Sequence, residues 1–207
     1  MSDDPPPPPW LRALAGPWPT DDLGLGARAA AFPSALRAWR EADDPVLLVW
    51  LAMRLAADDP ARLRATLAAA ATCGGRLVAK VPSVRLRPAL GWRALTKWAA
   101  SGRHAPLAHA RRSAELDALV ATALAQLSEA AWRVERLPSS PPAALRQAGV
   151  AAHLAALALQ DVDRALKHYH GEWFGARFGV AGAGEALRRS LGEEAARIER
   201  DLAASAP

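Results

Sequence analysis

The chain of 207 residues has one cysteine, Cys73. It can form no internal disulfide and no cysteine cage for a metal, which suits a reducing compartment. Lysine occurs three times, as Lys80, Lys97 and Lys167, and tyrosine once, as Tyr169. Arginine therefore supplies nearly all the positive charge. Together with abundant alanine and glycine, this is the composition of a GC-rich coding sequence, so arginine number alone is weak support for phosphate binding. No apolar run approaches the roughly 20 residues of a membrane span; the longest strongly apolar stretch is 46–53. The first nine residues, acidic and then proline-rich, are the reverse of a signal peptide. The expectation is a soluble cytoplasmic protein with no membrane contact.

The most informative absence is acid. Between Asp59 and Glu115 there is no Asp or Glu, yet Arg62, Arg64, Arg76, Lys80, Arg85, Arg87, Arg93, Lys97, Arg103, Arg111 and Arg112 all lie there. The whole chain has 26 basic and 21 acidic residues. Outside this segment the acids are in excess, so the net charge of +5 hides a basic middle between mildly acidic flanks. Codon bias does not remove acid from one segment and leave it elsewhere. Three readings stay open: a solvated helix face, a docking surface for an acidic protein partner, or a nucleic-acid contact.

About a quarter of the residues are alanine and leucine comes next, while valine, isoleucine and threonine are scarce. Helices are favoured over sheets. The fold class read from this is all-α, an alanine-rich bundle or array of six to seven helices. Residues 1–32 read as a Pro/Gly-rich arm, partly disordered, with Pro5 to Pro9 as polyproline II. Residues 33–205 read as one helical domain with an internal break at 137–142.

Two helix starts are written alike: Ala42-Asp43-Asp44-Pro45 and Ala57-Asp58-Asp59-Pro60. Aspartate caps free amides at the positive end of a helix and proline suits its first position, so these pairs read as caps. The helix over 45–57 is apolar nearly all round and should be the central element. The next, over 60–80, crosses Gly74-Gly75, a candidate kink, and carries Arg62, Arg76 and Lys80 as one basic stripe. A helix over 88–100 turns Trp92 and Trp98 away from a ridge of Arg93 and Lys97. This arrangement is unlike a single-strand binder, which interleaves exposed aromatics with basic residues. A helix over 106–136, with a candidate break near Ser128, buries Leu116, Leu119, Val120, Leu124 and Leu127. Helices over 142–170 and 184–203 follow, separated by a glycine-rich loop at 171–184; the last buries Leu187, Leu191, Ile198 and Leu202.

Candidate chemistry is thin. His168 and His170, near Glu172, Asp161 and Asp163, are two apart and diverge by about 200° on a helix, which is unsuited to a shared metal. His153 reads as a hydrogen-bonded core histidine and Cys73 as a small core residue. Gly179, Gly182 and Gly184 lack the preceding strand of a dinucleotide loop. The reading is of no enzyme, no cofactor and no metal.

The stretch 39–102 resembles a family of helical immunity proteins from bacterial toxin–immunity systems. The resemblance rests on Trp39, Val49-Trp50-Leu51-Ala52, Ala70-Ala71, Cys73, Leu77, Pro82, Arg87-Pro88, Trp98 and Gly102. Where that family has an acidic residue before the Arg-Pro pair, this chain has Leu86. The resemblance implies a non-enzymatic binder that neutralises a cognate toxin by steric occlusion. The residues nominated for the contact are Arg85, Arg87, Arg93, Lys97, Arg111 and Arg112. A basic nucleic-acid-associated protein and a structural module of a larger assembly are the alternatives.

Overall fold

The computed structural model describes residues 9–10, 24–79, 118–174 and 182–204, with side chains left undescribed at 26–27, 78–79 and 166–174. Among them stand eight helices and no strand: α1 (Leu25–Ala30), α2 (Ala35–Glu41), α3 (Pro45–Leu55), α4 (Pro60–Ala79), α5 (Ala118–Glu135), α6 (Pro141–Phe174), α7 (Ala183–Leu191) and α8 (Glu193–Ala204). The protein is an all-α multi-helix array.

The helix starts follow local chemistry. Ser34 caps α2, its Oγ accepting from Arg37 N–H at 3.2 Å. Asp44 Oδ1 accepts from Val46 N–H at 2.9 Å and caps α3. Asp59 Oδ1 accepts from Ala61 and Arg62 N–H at 2.9 and 3.2 Å and caps α4. Both Asp-Asp-Pro signatures therefore start helices as the sequence implies, but through the second aspartate of each pair. Asp43 instead caps a distant helix. Its carboxylate accepts from Gly182 N–H at 2.7 Å and Gly184 N–H at 3.0 Å, at the start of α7.

α3 is the hub. All of its residues from Pro45 to Met53 are buried, and it packs against α1, α2, α4, α6, α7 and α8. The most extensive pairing is α5 with α6. Ala123, Ala130 and Ala131 of α5 and Ala148, Ala151, Ala152, Ala155 and Ala156 of α6 are buried, and their single methyl groups let neighbouring helices approach closely. Leu124, Leu127 and Leu159 fill the larger spaces. Of the stripe read for this helix, Val120, Leu124 and Leu127 are buried and Leu119 half-buried, while Leu116 lies outside the described residues.

Several boundaries differ from the sequence reading. Residues 25–30 of the expected arm form α1, with Leu25 and Ala29 buried. Gly74 and Gly75 do not interrupt α4, and Ser128 does not interrupt α5, because neighbouring helices hold both segments in register where local propensity alone is weak. α6 continues through Gly171 to Phe174. The last segment is two helices, divided at Gly192.

Gly184 needs its missing side chain. A Cβ there would lie 2.6 Å from the Ala42 carbonyl oxygen, 2.8 Å from Asp43 Cα and 3.0 Å from Leu48 Cδ1. The α2–α3 corner and the start of α7 are in backbone contact, and Asp43 can reach its two amides only because they are. Gly184→Ala should lower stability by about 2 kcal/mol, as overpacking against backbone does, read as a lower midpoint in urea. Ser128 is the opposite case: its hydroxyl is fully buried and makes no hydrogen bond. Ser128→Ala removes a desolvated polar group from α5 and should raise stability by about 1 kcal/mol in the same measurement.

Candidate partner-binding surface

Most arginines of the described body meet the chain's own carboxylates. Arg28 pairs with Asp44 at 3.1 Å, Arg133 with Glu129 at 2.9 Å and Arg164 with Asp161 at 3.4 Å. Arg37 pairs with Glu41, and Arg40 with Glu199 across 159 residues. Most of these pairs are solvent-exposed and individually contribute little. Arg188 is used differently, donating to the carbonyls of Trp39 and Ala42 at 2.8 and 2.9 Å, where it satisfies the C-terminal end of α2.

Arg62 is the exception in strength. Only 8 % exposed, it donates from Nε to Glu194, from Nη2 to Asp201 at 2.9 Å and from Nη1 to the Leu55 carbonyl at 3.2 Å. Burial alone would lower its pKa, but hydrogen bonds and charge from Glu194 and Asp201 outweigh that and hold it above its ordinary value. The expected basic stripe of Arg62, Arg76 and Lys80 is thereby corrected: Arg62 is a neutralised clasp between α4 and α8, not a surface charge. Arg76 is exposed and donates to Ser190 Oγ at 3.3 Å, and Lys80 lies outside the described residues.

Among the described residues, no carboxylate lies within ion-pair distance of Arg64 or Arg76. Arg64 is half-buried and lines a cleft of about 430 Å³ with Pro60, Val134 and Glu135, where the first turns of α4 meet the last turn of α5. Trp132, on the same end of α5, is the one large apolar side chain left exposed among the described residues, at 37 %. The Arg136 guanidinium lies over its ring, 4.9 Å from the centroid. Trp and Arg are the residue types on which protein interfaces most often depend. This end of the molecule therefore offers an aromatic anchor, an arginine stacked on it, and a cleft in which Arg64 and Glu135 both line the wall without forming an ion pair with each other.

The nominated residues Arg85, Arg87, Arg93, Lys97, Arg111 and Arg112 all lie outside the described residues, as do Trp92, Trp98 and the side chains of His168, His170 and Glu172. His153 is half-buried on α6 and Cys73 fully buried on α4. Asp161 is buried between α5 and α6, accepting from Gln126 Nε2 at 3.1 Å and from Arg164. Among the described residues no three of His, Cys, Asp and Glu converge as metal ligands would, and no helix is long and apolar enough to cross a membrane. The Trp132 anchor escaped the sequence reading, although a signal was there. At 100° per residue it lies about 120° from the stripe of Val120, Leu124, Leu127 and Val134. Arg54, on α3, is burdened by burial, which pushes its pKa down to about 9; its guanidinium carbon lies 5.4 Å from the Trp50 ring centroid.

Compared with protein-family models, curated proteins and solved structures, the chain matches none of them.

Removing Arg62 would leave Glu194 without its buried counter-charge. Arg62→Ala should lower stability by about 3 kcal/mol, whereas Arg37→Ala, in an exposed pair, should change it by less than about 0.5 kcal/mol; thermal unfolding of the two variants compares them. The pH dependence follows from the raised pKa. The Arg62 contribution is complete below the ordinary arginine value and is lost only as pH rises through the folded one. The gap between wild type and Arg62→Ala should therefore not shrink between neutral and moderately alkaline pH on account of Arg62.

Proposed function

We propose that this chain is a non-enzymatic helical binding protein of the cytoplasm whose partner is a protein with an acidic surface. The carrying observation is the uneven neutralisation of charge. Arginines of the flanking segments mostly close on internal carboxylates, whereas Arg64 and Arg76, within the acid-free segment, find none among the described residues. The same segment supplies Arg85, Arg87, Arg93, Lys97, Arg111 and Arg112, the proposed contact residues. The exposed Trp132–Arg136 pair at the end of α5 supports a protein partner, because an aromatic anchor adds affinity where exposed charge mainly sets on-rate and specificity.

The resemblance of 39–102 to bacterial immunity proteins gives this reading its biological form. The chain would neutralise a toxin made in the same cell by covering its working surface. A rigid body suits that role, since occlusion needs a fixed shape and no chemistry. Its basic field would speed capture of an acidic target.

The test is a titration with a protein partner captured on the tagged chain and then purified. Reversing two charges, Arg93→Glu with Lys97→Glu, should weaken binding by about tenfold or more at low salt, mainly through a slower on-rate. Unchanged affinity would remove these residues from the contact. Short duplex and single-stranded oligonucleotides supply the competing outcome. Tight binding with a steep linear loss of log affinity against log salt would replace the protein partner with a nucleic acid.

A further inference from the structure

Leu187, Leu191, Ala195, Ile198 and Leu202 recur at spacings of four, four, three and four. On one uninterrupted helix they fall within about 80° of one another. The sequence thus encodes a single straight amphipathic helix over 183–204. The structure contains instead a bend: α7 stops at Leu191, the chain turns at Gly192, and α8 begins at Glu193. Gly192 has φ 58° and ψ −124°, a mirror-image extended conformation that glycine takes readily and other residues avoid. A Cβ added there would meet nothing within 4 Å. Conformation, and not space, makes glycine necessary.

The bend returns α8 onto the body. Ile198 and Leu202 are buried against it. Arg62 of α4 takes Glu194 and Asp201, Arg40 of α2 takes Glu199, and Arg197 approaches Asp59 at the α3–α4 corner, 3.9 Å away. All of these contacts belong to α8, which is joined to α7 through one residue. If Gly192 took helical angles, α7 and α8 would become one rod. α8 would then stand away with its apolar stripe and carboxylates bare, leaving a seat lined by Arg40 and Arg62 whose charge complements α8.

We infer that α8 is an exchangeable arm, and that its second seat is the α2–α4 face of another copy of this chain. In a reciprocal exchange every buried side chain and ion pair of the clasp re-forms between copies. The two forms then differ mainly at the hinge and in concentration dependence. Straightening relieves the positive φ and extends the helix, while the entropy of association opposes it. The seat is specific because Arg62 and Arg40 demand carboxylates at three defined positions along the arriving helix. This inference does not depend on the identity of any other partner.

Gly192→Ala is the direct test, since it penalises the bend and favours the helix without a steric clash. Light scattering after gel filtration should find the dimer-to-monomer equilibrium shifted toward dimer by about tenfold or more relative to wild type, with undiminished helical circular dichroism. A Gly192→Ala protein that stays monomeric at every concentration, with its thermal midpoint lowered, would overturn the exchange. A second arm uses charge. Arg62→Glu in one copy, and Glu194→Arg with Asp201→Arg in another, each set like charges together within a copy and opposite charges between copies. Mixed, the two should form a heterodimer seen by native mass spectrometry, while each alone does not dimerise. If both are folded by circular dichroism and the mixture remains monomeric, the seat is not shared between copies. If either fails to fold, the Gly192→Ala result decides.

Discussion

The rest of the structure depends on one helix being apolar on every face. From Pro45 to Met53, α3 exposes no polar side chain to solvent, so it can exist only if neighbours cover it completely. A fully buried leucine stabilises by roughly 2 kcal/mol when it leaves water, and Leu47, Leu48 and Leu51 are all fully buried. Covering a cylinder takes several helices, and six of the other seven described helices pack against this one. The short α1 and α2 and the bend at Gly192 contribute to that coverage. They bring sequence from both ends of the described chain to the same hub.

Hydrophobic coverage is not directional, so something else must fix which helix lies where. Polar contacts spanning more than a hundred residues do this. Asp43 ties the α2–α3 corner to the amides of Gly182 and Gly184. Arg188 returns from α7 to the carbonyls of Trp39 and Ala42. Arg62 holds α8 against α4. Two of these meet at one corner, where Gly184 leaves no room for a Cβ. An apolar face could slide along α3; a carboxylate that must meet two particular amides cannot.

What was legible in the sequence follows the same division. The all-α class, the central position of 45–57, the caps at Asp44 and Asp59, and the buried stripes of α5, α7 and α8 were readable because each depends on local spacing. The partners of Asp43 and Arg62 were not, because a side chain's role across more than 130 residues leaves no local trace. Asp43 looked like a second cap for its own helix, and Arg62 looked like part of a solvated stripe. Gly192 misled for a different reason: the apolar period runs through it without a break, and the turn is held by contacts of α8 with α2 and α4 that lie far away in sequence. Trp132 was visible on the wheel as an aromatic on the polar side, but within an alanine-rich helix its burial depends on neighbours the sequence does not name.

The candidate surface gains its meaning from how the body treats charge. A rigid core that pairs most of its arginines internally contributes little long-range field of its own. Whatever positive potential remains must then come from residues with no acid within reach, and the acid-free segment concentrates those by composition. α4 carries the first part of that segment, beginning with Arg62, which is spent on α8, and continuing with Arg64, which is not. Arg64 lines the cleft at the end of α5 together with Glu135, and Trp132 with its stacked arginine belongs to the same end of that helix. Under the proposed reading, a partner drawn by the basic field would find its aromatic anchor on the described body, at the end of α5. Steering and anchoring are separable: salt screens the first over about 10 Å at 0.1 M ionic strength, while a desolvated tryptophan contact persists.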